Sequence, residues 1–189
     1  MSHLTKDRIL DAARDLFVEH GEGAVTMRAV ASLAGVSTMA AYRHFPNREA
    51  LLLAVMEHGH DKFLAAMSRA LSAAGPLERL IASGDAYLNF ALANPRDYEL
   101  MFLRPAQVDL MCAPLAWRDA ATFRFLVDRV AECMAAGILH GEDPEMLAFS
   151  IWALVHGMVA LYLTHKLAAD EPTFRALYVS ALTAALARA

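Results

Sequence analysis

Between Gly23 and Arg48 the chain carries three arginines, Arg28, Arg43 and Arg48, and not one carboxylate, with Tyr42 and His44 among them. A phenol hydroxyl, an imidazole and a guanidinium all donate to phosphate oxygens, which is the chemistry of holding an anionic backbone. The chain as a whole is acidic, with 17 Lys and Arg against 21 Asp and Glu over 189 residues and a net charge of −4. That balance argues against a protein coated in nucleic acid. It leaves room for a local patch, because charge acts where the phosphates lie.

Other reactive residues point nowhere so definite. There is no GxSxG elbow, Walker loop, GxGxxG or HExxH, so no catalytic residue and no cofactor is assigned, and the chain is not read as an enzyme. The densest polar cluster, Glu57-His58-Gly59-His60-Asp61, offers three side chains to a divalent ion but no distant partner to close the coordination shell. It reads as a solvated helix face, and no metal site is assigned. His140, Glu142 and Asp143 read as a polar loop. Cys112 and Cys133 are isolated thiols with no CxxC pair and no secretory signal ahead of them. They read as small buried side chains in a reducing cytosol, with a thiol redox sensor as the alternative.

The elements that must position the basic stretch are two short helices meeting at a corner. Thr26 caps the first, Gly35 ends it in the left-handed conformation that glycine enters without penalty, Val36 plugs the corner and Ser37 caps the second. This is the helix-turn-helix layout, whose second helix lies in the DNA major groove. Upstream, residues 6–20 read as a helix capped by Thr5 and stopped by Gly21. Its face of Ile9, Ala13, Leu16 and Phe17 packs under Val30, Leu33, Val36 and Phe45. Downstream, Asn47 caps a long helix that runs to Gly75-Pro76, with Gly59 costing about 1 kcal/mol against Ala and marking a bend.

Further helices are expected at 77–93, 96–103, 114–136, 144–168 and 172–188, each opening near a proline. At 57% apolar the chain is far from disorder. The fold class is all-α, with about nine helices.

The order GVS, four residues, YRHF, then a loop and a basic residue resembles the N-terminal domain of the tetracycline-repressor (TetR) family of bacterial transcription regulators. ILDAARDLFVEHG at residues 9–21 resembles that family's first helix, so the close likeness covers about the first quarter of the chain. The resemblance implies a recognition helix starting at Ser37, with Thr38, Met39 and Ala40 nearest the base edges and Tyr42 and His44 clamping phosphates. It also implies a phosphate contact at Thr26, a groove-reaching side chain at Arg28 and a phosphate contact at Arg48, where the family usually carries Lys. The chain departs from the pattern at Thr38, Met39 and Ala40, where a Lys, a Gly and a hydroxyl residue are common. Met39 and Ala40 offer only apolar contact, for example to thymine methyls. Readout is therefore expected to rest on Arg28 and Thr38, Arg28 pairing with guanine for about 1–3 kcal/mol of discrimination.

One such head covers few base pairs, so a homodimer on palindromic operator DNA is expected. Ser150, Ala153, Gly157, Ala160 and Thr164 form a small-residue strip on the penultimate helix. Ala176, Ser180, Thr183 and Ala187 do so on the last. Two such helices from each subunit make a four-helix seam; packing within one subunit is the alternative. Residues 146–163 are apolar over roughly 27 Å of helix, yet His156 in their middle argues for a buried core helix and no membrane.

WALVHG at residues 152–157 and NPRDYELMF at 94–102 resemble the C-terminal domain of a TetR subgroup named for its Trp-His-Gly signature. His156 reads either as a satisfied core histidine or as the polar anchor of an effector pocket, lined by Trp152, Tyr98, Met101, Phe102 and Trp117 and oriented by Asn89. The expectation is thus a cytoplasmic, homodimeric regulator with a DNA-binding domain at residues 1–48 and an effector-binding and dimerisation domain at 49–189. A mostly apolar small-molecule effector lowers operator affinity. A DNA binder or architectural protein without an effector, or a metal-dependent sensor, is the rival reading.

Overall fold

The computed structural model describes residues 2–103 and 120–187, which form nine α-helices and no strand among them. In order these are α1 (Ser2–His20), α2 (Met27–Leu33), α3 (Thr38–His44), α4 (Arg48–Ser68), α5 (Pro76–Ala93), α6 (Pro95–Tyr98), α7 (Ala121–Ala135), α8 (Pro144–Leu163) and α9 (Glu171–Leu186). The helix starts follow local chemistry. Pro76, Pro144 and Pro172 sit in first turns, where a missing amide hydrogen costs nothing. The carboxylates of Asp143 and Asp170 accept from the amides of Glu145 and Thr173 at 2.8 and 2.9 Å.

Several boundaries differ from the sequence expectation. Helix α1 opens at Ser2, which places Thr5 inside it rather than at its cap. Helix α4 tightens into a 3₁₀ turn at Arg69–Ser72 before Gly75 is reached. The expected helix at 96–103 is α6 followed by a π-turn at Glu99–Leu103. Helix α8 stops at Leu163, because His165 turns left-handed (φ 56°) and Lys166 and Leu167 donate their amides back to the Leu161 carbonyl. Residues 114–119, expected to open α7, lie outside the described residues, as do Trp117 and Cys112.

The described residues fall into two compact units, one of residues 2–62 with 96–103 and one of 63–95 with 120–187. In the first, Ile9, Ala13, Phe17, Val30, Ala41, Phe45, Leu51, Val55 and Leu100 close a single core. Leu33 does not join it. The buried stripe of α2 runs through Met27, Val30 and Ala31, and Leu33 is 57% exposed outside that stripe. Gly59 lies inside α4, which runs unbroken from Arg48 to Ser68. A Cβ there would lie 2.8 Å from Met101 Sδ, so the glycine makes room for that side chain.

In the second unit α5 packs on α7 and α8, α7 on α8, and α8 on α9. Tyr162 and Phe174 stack at 4.1 Å, and the Tyr178 hydroxyl donates to the Gly84 carbonyl at 2.9 Å. Glu132 of α7 accepts from Arg79 of α5 at 3.1 Å and from Arg129 at 2.6 Å. Cys133 is fully buried, and that burial raises its thiol pKa. Helix α8 is not the buried helix that its composition suggests. Ala148, Ile151, Val155 and Val159 are its buried residues in the single chain, and Met146 and Leu161 stand about half exposed.

Candidate nucleic-acid interface

The corner between α2 and α3 is built by backbone bonds that the sequence dictates. Gly35 takes φ 65°, its amide donates to Ser32 and that of Val36 to Ala31, which satisfies the last carbonyls of α2 in the 6→1 and 5→2 pattern. Arg8 of α1 hydrogen-bonds the Ala34 carbonyl and lies so close that a Cβ on Gly35 would meet its guanidinium. Thr26 accepts from the Ala29 amide at 3.2 Å and Ser37 from the Ala40 amide at 3.1 Å, so each short helix has its cap.

This corner turns one face of α3 outward. Ala41 is wholly buried and Phe45 nearly so, while Thr38, Met39, Tyr42 and Arg43 are exposed at positions i, i+1, i+4 and i+5. Ala40 and His44 are half-buried at the edges of that face. Thr26, Arg28 and Ser37 are exposed as well. Arg28 and Arg43 make no ion pair or hydrogen bond among the described residues, so both guanidinium groups are available to an outside partner.

Arg48 is placed differently. Its Nε donates to the Val25 carbonyl at 2.8 Å, and its Nη2 donates to the Glu22 carbonyl at 2.8 Å and to the Glu22 carboxylate at 3.1 Å. These bonds pin the turn that leads into α2. The basic stretch therefore presents two uncommitted arginines, with the third held by a carboxylate from just outside it.

In the second unit, His156 Nδ1 lies 3.0 Å from the Tyr87 hydroxyl and its ring 5.5 Å from that of Trp152. Burial lowers its pKa, because desolvation disfavours the charged ring. Phe123 and Phe149 stand at 5.9 and 6.1 Å from Trp152. Sequence reasoning had no means of finding Tyr87, which lies on another helix. Asn89 is exposed and accepts from Arg175 Nη1 at 2.7 Å, which fixes its amide on the outer side of α5. Tyr98, Met101 and Phe102 belong to the first unit. Tyr98 is fully buried against Phe102, whose ring also meets that of His60 at 5.2 Å, and Met101 fills the space left by Gly59.

The small-residue strips are open in the single chain. Ser150 and Ala153 of α8 and Thr164 at its C-cap are exposed, Gly157 and Ala160 are half-buried, and Ala176, Ser180 and Thr183 of α9 and Ala187 at its C-cap are all exposed. Leu177 and Val179 join them at 46% and 49% exposure. The hydroxyls of Ser150 and Thr164 donate to carbonyls of their own helix at 3.0 and 2.6 Å, so the strip shows little unmet polarity. Among the described residues no group of His, Cys, Asp and Glu is arranged to hold a metal ion.

Residues 9–55 match the model of bacterial regulatory proteins of the tetR family, and residues 80–186 match a Tetracyclin repressor-like C-terminal domain. The finer Trp-His-Gly likeness rests on the residues alone. The chain is 31% identical over 153 residues to the HTH-type transcriptional regulator RutR of Escherichia coli (strain K12), covering 78% of this chain and 70% of that one. It is 32% identical over 98 residues to the HTH-type transcriptional activator FasR of Mycolicibacterium smegmatis, covering 51% and 45%. Among solved structures, a bacterial regulatory protein in the tetR family from Rhodococcus RHA1 superposes with a TM-score of 0.66 at 25% identity, covering 95% of each chain.

Proposed function

This chain belongs to the TetR family and is a DNA-binding transcriptional regulator, and from that premise we propose that it is a cytoplasmic, homodimeric repressor released from a palindromic operator by a mostly apolar small molecule. The observation that carries the reading is the outward face of α3, where Thr38, Met39, Tyr42 and Arg43 stand exposed above a buried Ala41. Residues 1–48 form the DNA-binding head in this reading, and residues 49–189 bind the effector and dimerise. Tyr42, His44, Arg43 and Thr26 hold phosphates and fix register, while Arg28, Thr38, Met39 and Ala40 meet base edges from the helix that Ser37 caps. Arg48 serves this head as a positioning residue.

Dimerisation covers the strips on α8 and α9, whose apolar side chains are half exposed in a single chain. Two heads then span half-sites about 34–36 Å apart. The effector docks beside the Tyr87–His156 pair, where Trp152 supplies apolar surface and the pair supplies the polar anchor. The ligand acts only through its differential affinity for the DNA-competent and incompetent states, so operator must weaken ligand binding by the same factor.

Duplex selection from a random library with the full chain at low salt tests the first claim and should enrich an inverted repeat. Light scattering at micromolar concentration should give the dimer mass. Failure to enrich any duplex, or a monomer in solution, would remove the reading.

A further inference from the structure

We infer that Arg8 of α1 is a positioning residue for operator reading, and that it sets the tilt of α3 through the Ala34 carbonyl. The inference rests on the DNA-binding role of α3 proposed above and adds what holds that helix at its angle.

Helix α3 is seven residues long and is anchored unevenly. Ala41 is its buried residue and Phe45, at its C-cap, is only 4% exposed, so its C-terminal half is fixed in the core. The opposite end has no such anchor. Ser37, Thr38 and Met39 are exposed and Ala40 is half-buried. A short rod pinned near one end takes its tilt from whatever holds the other. Here that is the corner at residues 34–37.

Arg8 holds this corner. Gly35 and Val36 donate their amides to Ser32 and Ala31, but no backbone amide among the described residues reaches the Ala34 carbonyl. Arg8 Nη2 donates to it instead. That carbonyl lies at the negative end of α2, where both the helix dipole and a charge-assisted hydrogen bond favour a guanidinium. Space is kept for the group, since a Cβ on Gly35 would lie 2.8 Å from Arg8 Nη2. Two residues earlier, Lys6 Nζ stands 5.9 Å from the centroid of the Phe45 ring, so the start of α1 reaches both ends of α3. Helix α1 is a fixed platform for this grip, because Ile9, Ala12, Ala13 and Phe17 are buried. Arg8 itself is exposed, so its loss frees the corner while that buried face stays whole.

The test compares the duplex selected by the full chain with a scrambled duplex, by fluorescence anisotropy, for the wild type and Arg8→Met. Both proteins are held at a temperature where thermal unfolding shows them folded. A tilted α3 forfeits about one base contact, so Arg8→Met is expected to lose about tenfold in the ratio of the two affinities. Its affinity for the scrambled duplex and its slope of log affinity against log salt should match the wild type, because no phosphate contact is lost. Hydrogen exchange at the Gly35 and Val36 amides should quicken, while that of the Ile9 and Ala13 amides should not. Arg8→Lys keeps the charge without the fork and should lose part of the ratio; it is read in place of Arg8→Met if that variant does not fold. An unchanged ratio or unchanged exchange at the corner makes Arg8 a contact of stability alone and overturns the inference. A salt slope lower by about one per protomer, with both duplexes weakened alike, makes it a phosphate contact and overturns the inference as well. In each of those cases the DNA-binding reading stands; if the wild type selects no duplex, both fall together.

Discussion

Arg14 of α1 donates from Nη2 to Asp97 Oδ2 at 2.5 Å, and the Asp97 side chain is only 7% exposed. The bond ties the first helix of the head unit to α6, and it pushes the Arg14 pKa above its ordinary value, chiefly through the hydrogen bond itself. Arg14 Nε is buried with no partner of its own, so the ion is already incompletely satisfied. Removing one member of such a pair strands the other charge, whereas removing both relieves two desolvation costs. Asp97→Ala is expected to destabilise by about 3 kcal/mol in urea unfolding, the low end of the range because Arg14 is 27% exposed. Arg14→Met combined with Asp97→Leu should return to within about 1 kcal/mol of the wild type. A double variant as unstable as the single one would show that the pair does more than bury charge.

Gly59→Ala sets two effects against each other. Alanine gains about 1 kcal/mol of helix propensity over glycine. Its Cβ would meet Met101 Sδ at 2.8 Å and Cγ at 3.1 Å, and Met101 is 92% covered, being only 8% exposed. Forcing a methyl into a filled site costs about 1–3 kcal/mol. Packing should win, with a net loss of about 1 kcal/mol in thermal unfolding. In a Met101→Ala background the clash is gone, and the same substitution should stabilise by about 1 kcal/mol. The reversal of sign is the result that matters.

The head was legible in the sequence because its signals are local. Thr26, Gly35 and Ser37 act on amides and carbonyls within three or four residues, so reading the caps amounts to reading the corner. Arg48 shows the limit. Its basic charge and place at the mouth of α4 suggested phosphate, but its fork closes on Val25 and Glu22, more than twenty positions upstream. The partner of His156 is 69 positions away and that of Arg14 is 83 away, distances over which only packing decides. Leu33 misses the core for a related reason, since periodicity gives a helix face but not the face that a neighbour covers. The open face of α8 is the reverse case. Its apolar character was plain, but a single chain's core does not use it.

Arg43 and Arg48 should part company when salt is varied. Arg43 has no ion pair or hydrogen bond among the described residues and, in the proposed function, faces phosphate, so Arg43→Ala should lower the slope of log affinity against log salt by about one per bound protomer. Arg48→Met loses two bonds to backbone carbonyls and one to a carboxylate. It should cost about 2 kcal/mol of stability and leave the salt slope unchanged. Arg48→Lys should not recover that stability, because a point charge on a flexible stem cannot reproduce the fork. A salt slope that falls equally in both variants would return Arg48 to the DNA contacts.

Acidification should destabilise the protein through its half-buried imidazoles, His60 and His156. Burial lowers the pKa of His156, and it lowers that of His60 against an opposing pull from Asp61. An unfolded histidine titrates near 6.5, so between that value and the lower folded values the unfolded chain binds more protons than the folded one. The stability these rings allow is therefore complete above about pH 6.5 and drains away as pH falls through the folded pKa values. Protonation also compels His156 Nδ1 to donate, so the Tyr87 hydroxyl at 3.0 Å must become the acceptor. Melting temperatures measured from pH 7.5 to 5 should fall for the wild type and fall less steeply for His156→Gln and His60→Gln. Parallel curves for all three proteins would place the acid sensitivity in other groups.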